Sequence, residues 1–207
     1  MSADVRSLRI GTRGSELALW QSRRVEELVS RLPGAPPVEL VIIRTEGDRI
    51  TDVPLSRVAG KAFFTKEIEQ ALAAGEVDLA VHSLKDLATA LPYGLEVAAV
   101  LEREDPRDAL LAPGPVTLDT LPAGARVGTS SLRRRAMLAR ARRDLELVEL
   151  RGNVPTRIER MLEGRYDAIV LAAAGVARLG LTAHVVERLA TERFLPAVSQ
   201  GAMAIQT

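Results

Sequence analysis

The sequence has 207 residues, of which 47% are hydrophobic and 27% charged, and its net charge is +1. This balance suits one or two globular domains and gives no global charge that would attract nucleic acid or a membrane surface. The absence of cysteine excludes disulfide bonds and thiolate metal sites, and because only two histidines are present we expect no bound metal.

No segment predicts insertion into a membrane or export. The longest apolar run, residues 168–177, spans ten residues, whereas a membrane helix needs about 18 or more. The first residues lack a basic stretch followed by an apolar one, so no signal peptide is predicted. We therefore expect a cytoplasmic protein.

Strands alternate with helices in the first half of the sequence. Four short segments, apolar and partly β-branched, are predicted as strands: 8–12, 38–45, 78–83 and 95–101. Helices are predicted over 15–32 and 65–74, with Ser15 and Thr65 as N-caps. The polar stretch 46–60 is predicted as a loop.

A charged stretch, 102–108, is predicted as a linker, and the alternation resumes after it. Helices are predicted over 132–143, from Asn153 to residue 164, and over 182–190. The strands expected here are 108–112, 126–130, 145–150 and 167–173. This pattern predicts mostly parallel sheets in two α/β lobes with a cleft between them. The sequence shows no internal repeat.

Four segments that follow predicted strands carry side chains suited to ligand binding, at the position where α/β proteins bind ligands. They are 11–15, 80–86, 128–135 and 150–157. In the second segment, an acid such as Asp86 can stabilise a developing cation. The structural alternatives are ordinary turns with exposed arginines and a solvated Lys85–Asp86 ion pair. His82 is predicted to be structural rather than a ligand.

Arginines recur near the predicted helix N-termini, where the helix dipole disfavours cations. Their recurrence predicts a site organised around an anion, since arginine is suited to carboxylate or phosphate. A nucleic-acid face is the alternative for residues 133–143, which contain six arginines. The neutral balance of charge and the absence of interleaved aromatics oppose it, so we expect no nucleic-acid partner.

At these segments the sequence closely resembles the porphobilinogen deaminase family, from residue 8 to the end. The family motifs occur in order: Thr12-Arg13 with Ser15, Thr45-x-Gly47-Asp48, Gly60-Lys61, Val81-His82-Ser83 with Lys85-Asp86, 102–108, 128–134, 150–153 with Thr156-Arg157, and 196–201.

The resemblance implies two hinged α/β lobes with mixed, mostly parallel sheets, like type II periplasmic binding proteins. Lobe one would comprise 1–101 plus 197–207, and lobe two 102–196. The family also has a third, α+β domain, in which a cysteine holds a dipyrromethane cofactor covalently. Since that domain and any cysteine are missing from the sequence, we expect a fragment of a longer protein. A separately encoded third domain and a cofactor-free relative are the alternatives.

The resemblance also implies a reaction, the head-to-tail condensation of four porphobilinogen molecules with release of ammonia in tetrapyrrole and heme biosynthesis. Asp86 would be the catalytic acid, stabilising the azafulvene cation formed as ammonia leaves. The cofactor-binding residues would be Lys85, Thr129, Ser130, Arg133, Arg134, Arg151, Asn153 and Arg157. The substrate-binding residues would be Arg13, Ser15, Gln21, Lys61 and Arg178.

These implications carry three further expectations. The protein would be a monomer, and its partners would be porphobilinogen and a separate third domain. An Arg134→Leu variant would be impaired in cofactor or substrate binding and would keep its fold. The main alternative function is a two-lobed module that binds or senses a small carboxylate without catalysis. The Lys85–Asp86 pair opposes this alternative, because an anion-binding cleft has little use for a carboxylate.

Overall fold

The computed structural model describes residues 6–49 and 64–207, and the chain divides into two compact units. The described residues of unit 1 are 6–49, 64–102 and 202–207, and those of unit 2 are 103–201. Residues 197–201, expected in lobe one, group with unit 2, because the Gln200 amide donates to the Pro106 carbonyl at 2.8 Å and to Asp108 Oδ1 at 3.0 Å.

Unit 1 is built on a five-stranded sheet with the order β2-β1-β3-β10-β4. Its elements, numbered along the whole chain, are β1 (Leu8–Thr12), α1 (Glu16–Ser30), β2 (Val38–Ile42), α2 (Glu46–Arg49), α3 (Lys66–Ala73), β3 (Leu79–Ser83), β4 (Val97–Val100) and β10 (Met203–Gln206). β1 is parallel to β2 and β3, whereas β10 is antiparallel to β3 and β4. One strand therefore runs against the other four.

Two apolar clusters form the core of unit 1. Ile10, Val25 and Val81 belong to the cluster that joins the sheet to α1, and Ile68 and Ala80 belong to the cluster that joins it to α3. Because successive residues of β3 alternate between the two clusters, both faces of the sheet are covered. This arrangement directs the polar residues that follow β1 and β3 to one edge of the sheet.

Unit 2 repeats this plan with the sheet order β7-β6-β8-β5-β9. Its elements are β5 (Asp108–Leu111), β6 (Arg126–Gly128), α4 (Leu132–Ala141), β7 (Glu146–Val148), α5 (Val154–Leu162), β8 (Ala168–Ala172), α6 (Ala173–Arg178) and β9 (Val185–Arg188). β6 is parallel to β7 and β8, and β5 is antiparallel to β8 and β9. The predicted class, two α/β lobes with mixed sheets in which most strands run one way, is confirmed.

The two units are structural repeats, although the sequence shows no obvious one. In unit 1, Asp78 accepts hydrogen bonds from the backbone and side chain of Arg9. In unit 2, Asp167 accepts the same bonds from Arg126. Each arginine also donates to the carbonyl of the glycine three residues before its aspartate. The shared signal is short, an Arg-x-Gly-Thr strand and an aspartate that precedes a later strand.

Several predicted elements differ from the structure. The predicted helix 182–190 is a 3₁₀ turn, Thr182–His184, followed by β9, because the β-branched pair Val185 and Val186 extends along the edge of the sheet beside β5. In the predicted loop 46–60, residues 46–49 form α2, and 50–60 lie outside the described residues. Within residues 6–49 and 64–207, no helix has the length and hydropathy needed to cross a bilayer.

Candidate functional site

Unit 1 carries an open pocket at the edge of the sheet where β1 and β3 end. The residues come from the turn into α1, from the start of α3 and from the end of β3, so they meet because β1 and β3 are adjacent and parallel. Among the described residues, the lining comprises Arg13, Ser15, Leu17, Ala18, Gln21, Phe64, Thr65, Val81, His82, Ser83 and Asp86.

Arg13 supplies the positive charge of this pocket. The central carbon of its guanidinium lies 4.4 Å from the centroid of the Phe64 ring, a cation–π contact that holds the side chain beside the pocket. Ser15 is the N-cap of α1, as predicted, and its Oγ accepts from the Ala18 backbone at 3.4 Å. The hydroxyl proton of Ser15 is left to donate to a ligand oxygen.

Gln21 is buried, and its side chain serves another pocket residue. The Gln21 amide Nε2 donates to Ser83 Oγ at 2.9 Å. Since Ser83 accepts this bond, its own proton is directed elsewhere. Gln21 thus lines the pocket and orients Ser83, a residue that the sequence analysis quoted in a motif but did not assign to the site.

Asp86 lies in a 3₁₀ turn, Leu84–Asp86, directly after β3. The turn is fixed by two backbone bonds, from Leu84 to the Ala202 carbonyl at 3.0 Å and from Leu87 to the Leu84 carbonyl at 3.3 Å. Asp86 is exposed and lines the pocket, whereas Lys85, beside it, is half-buried. Among the described residues that line the pocket, one side chain is therefore cationic and one is anionic.

His82 lines the same pocket from β3 but is 5% exposed. The pKa of His82 is lowered to about 4, mainly by burial and also by the charge of Arg13, whereas a hydrogen bond with the Gln206 side chain opposes the drop. The imidazole is therefore neutral at neutral pH. The expectation that His82 is purely structural does not account for its position in the pocket.

Unit 2 contains a buried carboxylate, Asp108, at the start of β5. Arg134 donates to its Oδ1 from Nε at 3.0 Å and from Nη2 at 2.6 Å, and Arg133 Nη1 donates to its Oδ2 at 2.7 Å. Gln200 adds a bond to Oδ1. Burial alone would raise the pKa of Asp108, but Arg134 and Arg133 together hold it below its ordinary value.

The two arginines differ in exposure, although they share this carboxylate. Arg134 is 8% exposed and also donates to the Val170 carbonyl at 3.0 Å, so it is embedded in the unit. Arg133 is 24% exposed and also donates to the Leu195 carbonyl at 2.6 Å. Two guanidinium groups against one carboxylate leave a net positive charge at the start of α4.

Arg178, at the end of α6, is likewise bound within unit 2. Its Nε donates to Glu104 at 2.8 Å and its Nη2 donates to the Gly201 carbonyl at 2.8 Å. Its side chain is almost fully buried. Glu104 was assigned to a linker, and the sequence offered no signal that it would receive an arginine from α6.

The hydroxyl residues before α4 bond mainly to the backbone. Ser131 Oγ caps α4 by accepting from Arg134 N at 3.4 Å, and Thr129 Oγ1 accepts from Ser131 N at 3.3 Å. The Ser130 hydroxyl donates to the Leu150 carbonyl. Ser130 and Thr129 are buried. Their side chains shape the turn between β6 and α4.

The start of α5 holds three more of the predicted residues. Asn153 is exposed at the N-cap position, but its side chain makes no capping bond. Thr65, at the equivalent position of α3, makes none either. Arg157 Nε donates to the Gly152 carbonyl, and Arg151 is half-buried.

The structure thus gathers part of the predicted site. Arg13, Ser15, Gln21 and Asp86 share the pocket of unit 1, with Lys85 next to it. The remaining described residues of the predicted set belong to unit 2, and Lys61 lies outside the described residues. The described ranges contain no group of three or more histidine, aspartate or glutamate side chains placed to hold a metal ion.

Comparisons with known proteins identify relatives along nearly the whole chain. The family model described as porphobilinogen deaminase, dipyromethane cofactor binding domain, matches residues 8–207. The porphobilinogen deaminase of Geobacter sulfurreducens is 54% identical over 200 residues, which are 96% of this chain and 62% of that protein. The enzyme of Pelobacter propionicus is 55% identical over 202 residues, which are 97% of this chain and 64% of that protein. The chain thus spans less than two thirds of these relatives.

Solved structures support the fold. A periplasmic substrate-binding protein of an ABC transporter from Coxiella burnetii aligns with a TM-score of 0.57, over 97% of this chain and 84% of that chain. Its sequence is 14% identical, so this similarity concerns the architecture alone.

Proposed function

Because the chain belongs to the porphobilinogen deaminase family, we propose that it provides the catalytic centre of a hydroxymethylbilane synthase. The reaction joins four porphobilinogen molecules head to tail and releases one ammonia for each addition. The observation that carries the proposal is the pocket of unit 1, in which Arg13 and Asp86 line one cavity. A substrate that is a dicarboxylate but reacts through a cation requires both charges.

Arg13 and Ser15 are proposed to bind a carboxylate of the substrate. Each porphobilinogen carries an acetate and a propionate, and a guanidinium forms strong charge-assisted bonds to such groups. The contact with Phe64 supports this role, because it restricts the arginine before the ligand arrives. Gln21 is proposed to act through Ser83. Because the Gln21 amide donates to Ser83 Oγ, the hydroxyl proton of Ser83 points away from that amide.

Asp86 is proposed to stabilise the cation that forms when ammonia departs. The carbon–nitrogen bond of the protonated aminomethyl group breaks, the nitrogen leaves with the electron pair, and the pyrrole ring becomes an azafulvene cation. A carboxylate within reach of the pyrrole N–H stabilises this positive charge. The free α-carbon of the terminal pyrrole of the growing chain attacks the methylene carbon, and this terminal ring regains neutrality by releasing its α-proton. The exposure of Asp86 supports direct access to substrate.

Unit 2 fits the dipyrromethane cofactor that the matched domain binds in this family. When bound, the cofactor supplies the pyrrole α-carbon to which the first substrate is joined. Donor groups near the starts of α4 and α5 are proposed to hold its carboxylates, and the net positive charge beside Asp108 supports this. These groups are Thr129, Arg133, Arg151, Asn153 and Arg157. Lys85 of unit 1 stays a proposed cofactor-binding residue on the family resemblance alone. Ser130, Arg134 and Arg178 are proposed to support the site indirectly, because they bond to unit 2 itself.

The proposal extends to a monomer in the cytoplasm. Both expectations rest on the family to which the chain belongs. A separately encoded third domain remains a proposed partner.

The experiment that tests the function uses the chain itself and a chimera. In the chimera, residues 8–207 replace the matching part of the Geobacter sulfurreducens enzyme, which supplies the remainder of its length. Porphobilinogen consumption and ammonia release are measured for both proteins. The proposal expects turnover by the chimera and loss of that turnover in its Asp86→Asn variant, with binding retained.

The alternative, a carboxylate-binding or sensor module, predicts a different result. The chimera would then bind porphobilinogen tightly and reversibly, release no ammonia, and respond to Arg13→Leu but not to Asp86→Asn. An Asp119→Asn variant is the matched control, because Asp119 is an exposed aspartate of unit 2.

A further inference from the structure

Among the described residues of unit 1, two buried polar atoms have no hydrogen-bond partner and belong to residues that line the pocket. They are Oγ1 of Thr65, which is 1% exposed, and Nε2 of His82. More than nine in ten buried polar groups in folded proteins are hydrogen-bonded, because an unsatisfied one destabilises the fold. Other buried atoms without a partner belong to residues that do not line the pocket: Ser22, Glu67 and Gln206.

Thr65 occupies the N-cap position of α3 but does not cap the helix. At this position a hydroxyl ordinarily accepts from a backbone N–H of the first turn, as Ser15 does for α1 and Ser131 does for α4. The backbone of Thr65, with φ −122° and ψ −21°, does not allow this arrangement. Its hydroxyl therefore has unused hydrogen-bonding capacity in a residue that lines the pocket.

His82 presents a neutral ring to the same pocket. A neutral imidazole offers one donor and one acceptor. The charged and polar groups around the ring are Arg13, which shares the pocket, and Gln206. The Gln206 side chain lies close enough to interact with the ring and raises its pKa, and its amide donates to the buried Glu69 carboxylate at 3.3 Å. His82 Nε2 nevertheless has no hydrogen-bond partner of regular geometry. The positive charge of Arg13 that disfavours protonation of His82 also disfavours an ammonium group in this position.

We propose that Thr65 and His82 form a neutral hydrogen-bonding subsite for one carboxylate of the pyrrole substrate, next to the charged contact made by Arg13. This inference rests on the proposed function, because it takes porphobilinogen as the ligand. The hydroxyl of Thr65 donates to a carboxylate oxygen, and the N–H of the imidazole donates to the same group. The first-turn N–H groups of α3 add a favourable partial positive charge.

The test uses Thr65→Val, which keeps the shape of the side chain and removes its hydroxyl. Because the substitution removes a buried hydroxyl that has no hydrogen-bond partner, the melting temperature of the ligand-free chain should rise by about 2–4 °C. Calorimetric binding of porphobilinogen should weaken about tenfold, the effect of one hydrogen bond to a charged group. The control is Ser22→Ala, which also removes an orphaned buried hydroxyl but lies off the pocket, and it should leave binding unchanged.

Ligand analogues identify the group that is bound. Two aminomethylpyrroles are titrated, one with only the acetate and one with only the propionate. If the subsite exists, wild type and Thr65→Val should bind one of the two analogues with equal affinity, because that analogue lacks the carboxylate that the subsite contacts. The subsite also predicts that His82→Phe repeats this pattern.

Three outcomes would overturn the inference in distinguishable ways. If wild type binds porphobilinogen and Thr65→Val binds it equally well, the subsite is wrong and the proposed function stands. If Thr65→Val weakens both analogues equally, the hydroxyl does not contact a carboxylate. If the wild-type chain and the chimera both fail to bind porphobilinogen, the proposed function fails, and the subsite fails with it.

Discussion

Arg134 donates two hydrogen bonds to Asp108 from one guanidinium, at 3.0 Å and 2.6 Å, and both side chains are buried. The pair connects the first turn of α4 to the first residue of β5. Removing one partner of a buried ion pair leaves the other charge buried without a partner. This lowers the stability of the fold far more than the loss of a surface ion pair does. The pair therefore ties the anion-binding end of α4 to the stability of unit 2.

Asp108→Ala is expected to lower the free energy of unfolding by about 3–5 kcal/mol, because it leaves Arg134 and Arg133 without their carboxylate. Urea denaturation measures this change. The control is Asp119→Ala, which removes an exposed ion pair with Arg193 and should cost less than about 1 kcal/mol. Equal effects of the two substitutions would contradict a structural role for the buried pair.

Arg134→Leu is expected to destabilise the fold, contrary to the sequence-based expectation that it would affect binding alone. The substitution leaves a buried carboxylate short of two bonds, so stability should fall by several kcal/mol. A double-mutant cycle with Asp108→Ala isolates the coupling between the two residues. Additive losses would show that they do not act as a pair.

Asp86→Asn is expected to reduce turnover of the chimera by about 10²–10³, the usual effect of removing one group that stabilises transition-state charge. Its melting temperature should not change, because the side chain is exposed. Steady-state ammonia release and a thermal melt measure the two effects. Near-normal turnover would remove Asp86 from the catalytic role.

His82 gives the protein a pH dependence of stability. Its pKa is lowered to about 4 in the folded chain from an ordinary value of 6.5, so the unfolded chain takes up the proton first as the pH falls. The contribution of the neutral ring is complete above pH 6.5, declines between pH 6.5 and 4, and amounts to about 3 kcal/mol. His82→Phe should abolish this part of the decline in urea melts at each pH. Parallel curves for the two proteins would contradict it.

Gly201→Ala is expected to destabilise unit 2 by at least about 2 kcal/mol. Gly201 has φ +94°, and a Cβ atom there would lie 2.4 Å from the Glu104 carbonyl oxygen. Gly114→Ala is the control, because its Cβ would meet nothing within 4 Å. The melting temperatures of both variants are measured by thermal denaturation. Similar values for the two variants would exclude the clash at Gly201.

The sequence predicted the parallel strands of both sheets well, because their apolar runs and following turns are local signals. β1 was predicted at its observed bounds, and β3 to within one residue. β9 and β10 were mispredicted or missed, since each is a short segment whose extended form depends on a neighbouring strand. Local pattern carries no information on such pairing.

The arginines show that prediction of the site from sequence is limited in the same way. Their recurrence indicated an anion, and for Arg13 in the pocket this remains the proposal. For Arg134 and Arg178 the anion found in the structure is a side chain of the protein, 26 and 74 positions away in the sequence. No local pattern distinguishes an arginine that awaits a ligand from one that binds a distant carboxylate.

The position of β10 has a consequence for biosynthesis. This strand lies between β3 and β4 and is contributed by residues 203–206, whereas the described part of unit 2 is the continuous stretch 103–201. As the ribosome extends the chain, the described part of unit 2 acquires all of its strands before the sheet of unit 1 receives its fifth strand, β10. Unit 1, whose synthesis begins first, is therefore the unit that completes its sheet last.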